Sequence, residues 1–413
     1  MMHQPYIAFA GGGTGGHLYP MLSLAAEIRR KQPRARFVFF TTDRPIDERL
    51  IRHVFDEQSA VIVSQPVKPW PRALGDWPRF YGAWRASLKR CRAEFQNDRP
   101  DVVIGSGGFG SGPAIHAARK LGITTALLNP DAIPGKANRF LASRSDVVFA
   151  QWPQTQRYFA RSVRVRVTGC PIRPEFSHAR RTAGLHRFNL DAARKTLLVT
   201  GASQGARSIN RAVAASLGDL AGIDGWQYLH LAGTADVDGL RMAYASHSLA
   251  ATVLDYTEHM PEALAVADLV VTRAGASTLA EITARGLPAV IMPYPHHRDR
   301  HQYANAAVLT EAGAAVLVED GLTAADNAPR LFAALRGVMI DSQVRGEMAR
   351  AAAVLGVPDA AERISGVVLA LIANGVMDSS TLNGGSTGSG NWREKAARDD
   401  DRNSVESPID AMA

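Results

Sequence analysis

The amino-acid sequence predicts an α/β protein of two doubly wound parallel sheets that face each other across a cleft. Three observations predict it. Short, almost continuously apolar runs alternate with helix-periodic stretches, the pattern of strands buried on both faces by helices. Three glycine-rich segments, beginning at Gly11, Gly105 and Gly201, each follow such a run and open a helical stretch. The chain has 413 residues, more than one core usually organises, so two domains are the natural expectation.

In the first half the candidate strands are Tyr6–Ala10, Arg36–Thr41, Val61–Ser64, Val102–Gly105, Thr124–Leu128 and Val147–Ala150. In the second they are Thr196–Thr200, Tyr228–Leu231, Thr252–Asp255, Leu269–Thr272, Ala289–Met292 and Ala315–Val318. Helical periodicity marks Met21–Lys31, Ile115–Leu121, Ser208–Leu217 and Leu279–Arg285 between them. The stretch from Arg173 to Lys195 is polar, rich in Arg and His, and carries Pro174, so it reads as a linker. The expected organisation is therefore residues 1–172 as the first domain, 173–195 as linker and 196–345 as the second domain. Residues 346–376 form helices returning toward the first domain, and 377–413 form a tail. That tail is rich in Gly and Ser and lacks the apolar residues that offset ordering entropy, so disorder is expected there.

Bulk properties narrow the class. Hydrophobic residues make up 46% and charged residues 21%, an ordinary globular composition. No signal peptide is read at the start, and no apolar stretch approaches the ~18–20 residues of a bilayer span. The two cysteines, Cys91 and Cys170, form no disulfide framework, no Cys/His cluster has metal-ligand spacing, and a reduced, cytoplasmic setting is expected. The tail from Met377 holds four basic and seven acidic residues, so the rest of the chain carries +11 against +8 overall. A basic body favours anionic partners: phosphorylated small molecules, anionic lipid or nucleic acid. No nucleic-acid-binding module accompanies the charge, which argues against the last.

The glycine segments carry the chemistry. In Gly11-Gly12-Gly13-Thr14-Gly15-Gly16-His17, bare backbone N–H groups at a helix start suit a phosphate or a developing anion, and His17 adds a group that exchanges protons near neutrality. The second loop is Gly105-Ser106-Gly107-Gly108-Phe109-Gly110-Ser111-Gly112-Pro113. The third, Gly201-Ala202-Ser203-Gln204-Gly205-Ala206-Arg207, offers the N–H and hydroxyl of Ser203. A fourth element, Arg273-Ala274-Gly275-Ala276-Ser277-Thr278-Leu279-Ala280-Glu281, places Glu281 in the first turns of a helix, where a carboxylate can accept both hydroxyls of a ribose. His296 to Asn305 gathers polar side chains without carboxylate spacing for a metal, so a hydrogen-bonding surface is expected. A dinucleotide-dependent oxidoreductase fits poorly, because no acidic residue ends the second strand and Asp43 falls in a loop.

Gly-Gly-Thr-Gly-Gly-His, Gly-Gly-Phe-Gly-Ser-Gly-Pro, Ser-Gln-Gly-Ala-Arg and Ala-Gly-Ala-Ser-Thr with the following Glu, in this order, resemble the peptidoglycan N-acetylglucosaminyltransferases of glycosyltransferase family 28. The likeness runs from about residue 6 to about 320 and includes Asp299-Arg300, Gln302-Tyr303 and Asn305. It implies a GT-B fold and transfer of N-acetylglucosamine (GlcNAc) from UDP-GlcNAc to undecaprenyl-diphospho-muramoyl-pentapeptide, lipid I, with anomeric inversion, giving lipid II. It implies no cofactor and no metal. On this chain it implies that Thr14, Gly15 and Gly16 approach the donor, and that Ser203 and Arg173 hold its diphosphate. Thr257 lies by the uracil, residues Ala276, Ser277, Thr278, Leu279 and Ala280 line nucleotide and sugar, Glu281 binds the ribose, and Gln302 with Asn305 meets the GlcNAc. Gly107, Gly108 and Ser111 take the acceptor diphosphate, and His17 is the base.

One departure stands out. The family usually shows His-Glu-Gln-Asn where this chain has Leu128-Asn129-Pro130-Asp131, so Asp131 becomes the available carboxylate. That leaves open a family 28 enzyme with another acceptor, and a nucleotide-sugar-binding protein without catalysis. The segment Lys68–Arg99 holds eight basic and three acidic residues. With Trp77, Phe80, Tyr81, Trp84 and Arg85 it suits an anionic bilayer surface, so a peripheral place on the cytoplasmic face of the inner membrane is expected.

Overall fold

The computed structural model describes residues 3–13, 15–71, 73–201, 205–296 and 300–382. Strands β1 (Tyr6–Ala10), β2 (Arg36–Thr41), β3 (Ala60–Ser64), β4 (Val102–Gly105), β5 (Thr124–Asn129), β6 (Val147–Ala150) and β7 (Val165–Val167) form one parallel sheet in the order β3-β2-β1-β4-β5-β6-β7. Helices α1 (Gly15–Lys31), α2 (Pro45–Val54), α3 (Trp77–Asn97), α4 (Gly112–Lys120) and α5 (Lys136–Ala142) connect them. After α6 (Glu175–His178) and α7 (Arg181–Arg187) comes a second sheet of β8 (Lys195–Thr200), β9 (Trp226–Leu231), β10 (Ala251–Leu254), β11 (Leu269–Thr272), β12 (Ala289–Ile291) and β13 (Ala315–Leu317). It is also parallel, in the order β10-β9-β8-β11-β12-β13. Its helices are α8 (Arg207–Leu220), α9 (Val237–Ser246), α10 (Met260–Val266), α11 (Ala276–Ala284) and α12 (His301–Glu311), followed by α13 (Ala324–Ile340), α14 (Ser342–Leu355) and α15 (Ala360–Leu382).

This topology positions the site. Strand order reverses at β1/β4 in the first sheet and at β8/β11 in the second. In doubly wound sheets the crevice at such a reversal, beyond the carboxyl ends of the strands, is where ligands bind. All four motif loops leave those four strands.

Both sheets are apolar through their thickness: β1 is buried at every position, and so is β9. Helix α3 turns Cys91 and Phe95 inward, the Phe95 ring meeting Phe40 edge-on at 5.2 Å. The core of the second half takes in Trp152, Cys170, Ile172 and Phe176, so apolar packing is continuous through the junction.

Three segments differ from the sequence reading. Strand β7 was not expected, because Val165 and Val167 alternate with arginines and the strand is a short edge. Much of the stretch expected as linker is folded. Phe176 and Phe188 are buried in the second core, and Arg181 bonds Val266 O and pairs with Asp268 at 2.9 Å. Two isolated aromatics in a charged stretch carry no periodic signal, yet each anchors a turn of helix. Residues up to Ile372 form one unit and the segment from Ala373 a second. Helix α15 continues to Leu382, past Met377 where the tail was expected to begin; residues 383–413 lie outside the described residues. Within the first unit, Lys31 Nζ meets Glu362 at 3.6 Å.

Candidate active site at the junction of the two sheets

The loop after β1 closes around a carboxylate. Asp47, on α2 and 1% exposed, accepts Gly13 N at 2.9 and 3.1 Å, Thr42 N at 3.3 Å and Thr42 Oγ1 at 2.7 Å. Gly12 has φ +131°, and a Cβ there would stand 2.4 Å from Asp47 Oδ2, so only glycine fits. Gly11 N donates to Phe40 O. Two N–H groups that the sequence offered to a phosphate are therefore spent inside the protein, beside a buried negative charge. The reading of this loop as an anion cradle therefore does not extend to Gly11 N and Gly13 N.

His17 lies in the first turn of α1, half-buried. Burial pushes it below the usual value of 6.5, against the pull of Asp131 and Asp47; His301 adds a smaller push in the same direction as burial. A neutral imidazole at pH 7 is the form that takes up a proton. The loop after β4 lies against it: a Cβ on Gly108 would stand 3.4 Å from His17 Cε1. On Gly107 it would collide with Asn138 at 2.5 Å. Ser111 was expected at an acceptor diphosphate, but it is fully buried and its hydroxyl donates to Ala10 O and Gly107 O, both at 2.7 Å. Its proton ties the two loops together and is not offered to a ligand.

After β5, Asn129 is buried, donating to Asp131 O and accepting from Asn138, both at 2.8 Å. Asp131 sits at the opening and accepts Asn305 Nδ2 at 2.9 Å. Asn305 itself is fully buried; its amide also donates to Ala274 O, and its Oδ1 accepts Ala132 N at 2.8 Å. Every polar valence most accessible to a sugar is thus used, and Asn305 joins the sheets where a GlcNAc contact was expected. Gln302 Oε1 accepts Tyr294 N, and among the described residues its amino group has no hydrogen-bond partner.

Helix α11 begins after Gly275, and Ser277 Oγ donates across the junction to Gly16 O at 3.1 Å. Pro20 lies four residues after Gly16 and has no N–H to close that helical bond, which frees the Gly16 carbonyl for Ser277. Glu281 is half-buried, and desolvation raises it to about 8 despite the opposing charge of Arg173. The Arg173 guanidinium lies 5.1 Å from the Tyr19 ring and 5.0 Å from that of Phe176. Ser277, Thr278 and Glu281 reach the opening. Leu279 does not: its side chain is core and its N–H goes to Gly275 O, while Ala276 and Ala280 are also buried. Thr257, in the loop after β10, is buried and its Oγ1 accepts His259 N. Thr14 and Ser203 lie outside the described residues.

Sequence reasoning missed Asp47, Tyr19 and the role of Arg273. Arg273 pairs with the buried Asp320 at 2.8 Å and donates to Met292 O, bracing the strand end that carries α11. Tyr19 and Arg273 lie within or beside the glycine motifs, whereas Asp47, 34 residues from the glycine whose N–H it holds, carries no such signal. Among the described residues no group of three or more His, Cys, Asp or Glu side chains is disposed to hold a metal ion.

Away from the cleft, Trp70, Trp77 and Phe80 form a mutually packed cluster with ring centroids 5.5–5.9 Å apart. Trp70 is 65% exposed, Tyr81 58% and Trp77 42%, and Arg85 lies over the Tyr81 ring. Trp84, expected with them, turns inward: its ring covers Gly112 and meets His116. No described helix is long and apolar enough to cross a membrane.

With two parallel α/β domains meeting at a site of this kind, the fold is that of the GT-B glycosyltransferases. Residues 7–150 match the glycosyltransferase family 28 N-terminal domain and residues 196–364 its C-terminal domain. The chain belongs to glycosyltransferase family 28. It is 33% identical over 356 residues to the UDP-N-acetylglucosamine–N-acetylmuramyl-(pentapeptide) pyrophosphoryl-undecaprenol N-acetylglucosamine transferase of Desulforamulus reducens, covering 85% of this chain and 94% of that relative. Among solved structures it is similar to Acinetobacter baumannii MurG, at 25% identity and a TM-score of 0.70, covering 88% and 99% of the two chains. It also resembles, in fold alone, a UDP-glucose:anthocyanidin 3-O-glucosyltransferase in complex with UDP, at 12% identity and a TM-score of 0.67, covering 91% and 100%.

Proposed function

We propose that this chain transfers GlcNAc from UDP-GlcNAc to the lipid-linked muramoyl-pentapeptide acceptor, with inversion, giving lipid II for peptidoglycan. The observation that carries the reading is a neutral His17 facing Asp131 at one switch point, with Ser277, Glu281 and Arg173 at the other. The relatives' names give the donor and acceptor classes. In this reading the second half holds UDP, with Glu281 accepting the ribose hydroxyls and Arg173 on the diphosphate. The acceptor oxygen attacks the anomeric carbon, its proton passes to His17, and UDP leaves with its charge met by Arg173 and the helix starts. Gln302 offers its amino group to the sugar. The exposed cluster of Trp70, Trp77 and Tyr81, with Arg85, supports a peripheral place on an anionic membrane surface, where a lipid-linked acceptor resides.

Incubation with UDP-GlcNAc and lipid I, followed by assay of lipid II and UDP, tests the reading. Lipid II with stoichiometric UDP is the expected result. UDP release only with a different acceptor would redirect the assignment to the loop of Asn129 and Asp131, and binding without turnover would reject catalysis.

A further inference from the structure

We propose that Tyr19 is a positioning residue for Arg173: its ring, with that of Phe176, holds the guanidinium by its charge and leaves the N–H groups unspent for a diphosphate. The inference rests on the reading that Arg173 takes the diphosphate of UDP. The guanidinium carbon lies over the Tyr19 ring at 5.1 Å and over the Phe176 ring at 5.0 Å, both inside the ~6 Å at which a π face attracts a cation. Among the described residues its N–H groups have no hydrogen-bond acceptor and no carboxylate at ion-pair distance. Arg36 and Arg139 show the contrast. Arg36, over the Tyr6 ring, pairs with Asp98 at 2.7 Å, and Arg139, over the Tyr158 ring, donates to Pro134 O at 2.9 Å. A carboxylate partner would fix Arg173 at the cost of its donors, whereas an aromatic face takes the charge and leaves the donors for an anion.

The two rings come from different halves. Phe176 is fully buried in the second core, and its N–H donates to Arg173 O at 3.1 Å, so ring and arginine share one turn. Buried Ile172 before Arg173 and Pro174 after it restrict the backbone on both sides. The long side chain still keeps rotamer freedom that an anion would have to quench on binding. Tyr19 removes part of that freedom in advance, from α1 of the first half. Gly15, one helical turn earlier, makes room for it: a Cβ there would stand 3.2 Å from Tyr19 Cε2 and 3.4 Å from Cδ2. This glycine of the first motif therefore seats an aromatic ring. No bond is made or broken in the role, which is preorganisation of a charge before the anion arrives.

Calorimetric affinities for UDP and for uridine, at one ionic strength, test the proposal in wild type, Tyr19→Phe, Tyr19→Leu and Arg173→Gln. Both ligands carry the ribose and the base, so their affinity ratio isolates the phosphates from Glu281 and from general packing. Arg173→Gln should lower the ratio about tenfold or more, the scale of lost charged hydrogen bonds. Tyr19→Leu should lower it about threefold to tenfold with uridine affinity kept, and Tyr19→Phe, which retains the ring, should keep the wild-type ratio. A Tyr19→Leu protein that weakens both ligands alike, or neither, overturns the proposal, since Tyr19 then only packs. A lowered ratio in Tyr19→Phe overturns it as well, by moving the effect to the hydroxyl. The parent reading fails separately, if Arg173→Gln keeps the wild-type ratio. Should Tyr19→Leu not fold, phenylalanine at position 19 bearing successive ring fluorines keeps the shape and drains the π face. A ratio that falls stepwise along that series is expected, and a constant one overturns the proposal.

Discussion

Asn305 donates its side-chain amide to Asp131 Oδ1 at 2.9 Å, joining the helix after β12 to the loop after β5. The bond holds a carboxylate beside His17 by a residue of the opposite half. Asp131→Asn keeps a carbonyl oxygen to accept from Asn305 but removes the charge. Transfer is expected to fall about tenfold or more, with UDP-GlcNAc binding within about twofold of wild type. Activity equal to or above wild type would show that no carboxylate is needed there. Asn305→Ala strands the buried Ala132 N–H and Ala274 carbonyl as well, a loss of about 2–4 kcal/mol readable by urea unfolding.

Glu281 gives the protein a pH signature. Its carboxyl titrates at about 8 in the fold against 4.5 in its ordinary state, so ionisation opposes folding. The penalty is absent below pH 4.5, grows as pH rises, and is complete above about 8. Glu281→Gln should therefore stabilise the unliganded protein by on the order of 2 kcal/mol near pH 7 and leave it unchanged near pH 4. If ribose hydroxyls donate to this carboxylate, wild-type affinity for UDP-GlcNAc climbs with pH toward 8, and the variant loses both the climb and about 1–3 kcal/mol of binding. A pH-independent wild-type affinity would remove Glu281 from the ribose.

Ser277 and Pro20 are coupled through one carbonyl. Ser277→Ala leaves Gly16 O without its partner and costs about 1 kcal/mol. In a Pro20→Ala background the new N–H at position 20 reaches back to Gly16 O, so the same substitution costs almost nothing. A double-mutant cycle in urea measures the coupling, and equal costs in both backgrounds would dismiss it.

Vesicle binding should depend on the exposed aromatic cluster. Replacing Trp77, Phe80 and Arg85 with Ser is expected to weaken association with anionic vesicles, and raised salt should weaken the wild type as well. Unchanged sedimentation of a folded triple variant would place membrane contact elsewhere.

The two parallel sheets were legible because buried parallel strands are apolar at consecutive positions, and a run such as Tyr6–Ala10 or Leu269–Thr272 announces itself within a few residues. The glycine motifs located the strand ends that make the cleft. Elements without such local pattern escaped: β7, whose valines alternate with arginines, and α6 and α7, each held by one buried aromatic.

The residues by themselves determined the fold class, the number of sheets, the family and the neighbourhood of the chemistry, since apolar continuity and glycine are properties of short stretches. Which atoms remain free at the site was decided only by the tertiary structure. Gly13 N–H, the Ser111 proton and the Asn305 amide all look available in the sequence, and each is consumed by a partner from a distant segment. Asp47 lies 34 residues from the glycine whose N–H it holds, and Asn305 lies 174 from Asp131. A buried hydrogen bond must be satisfied wherever the fold brings its partner, and no local pattern records where that partner will come from.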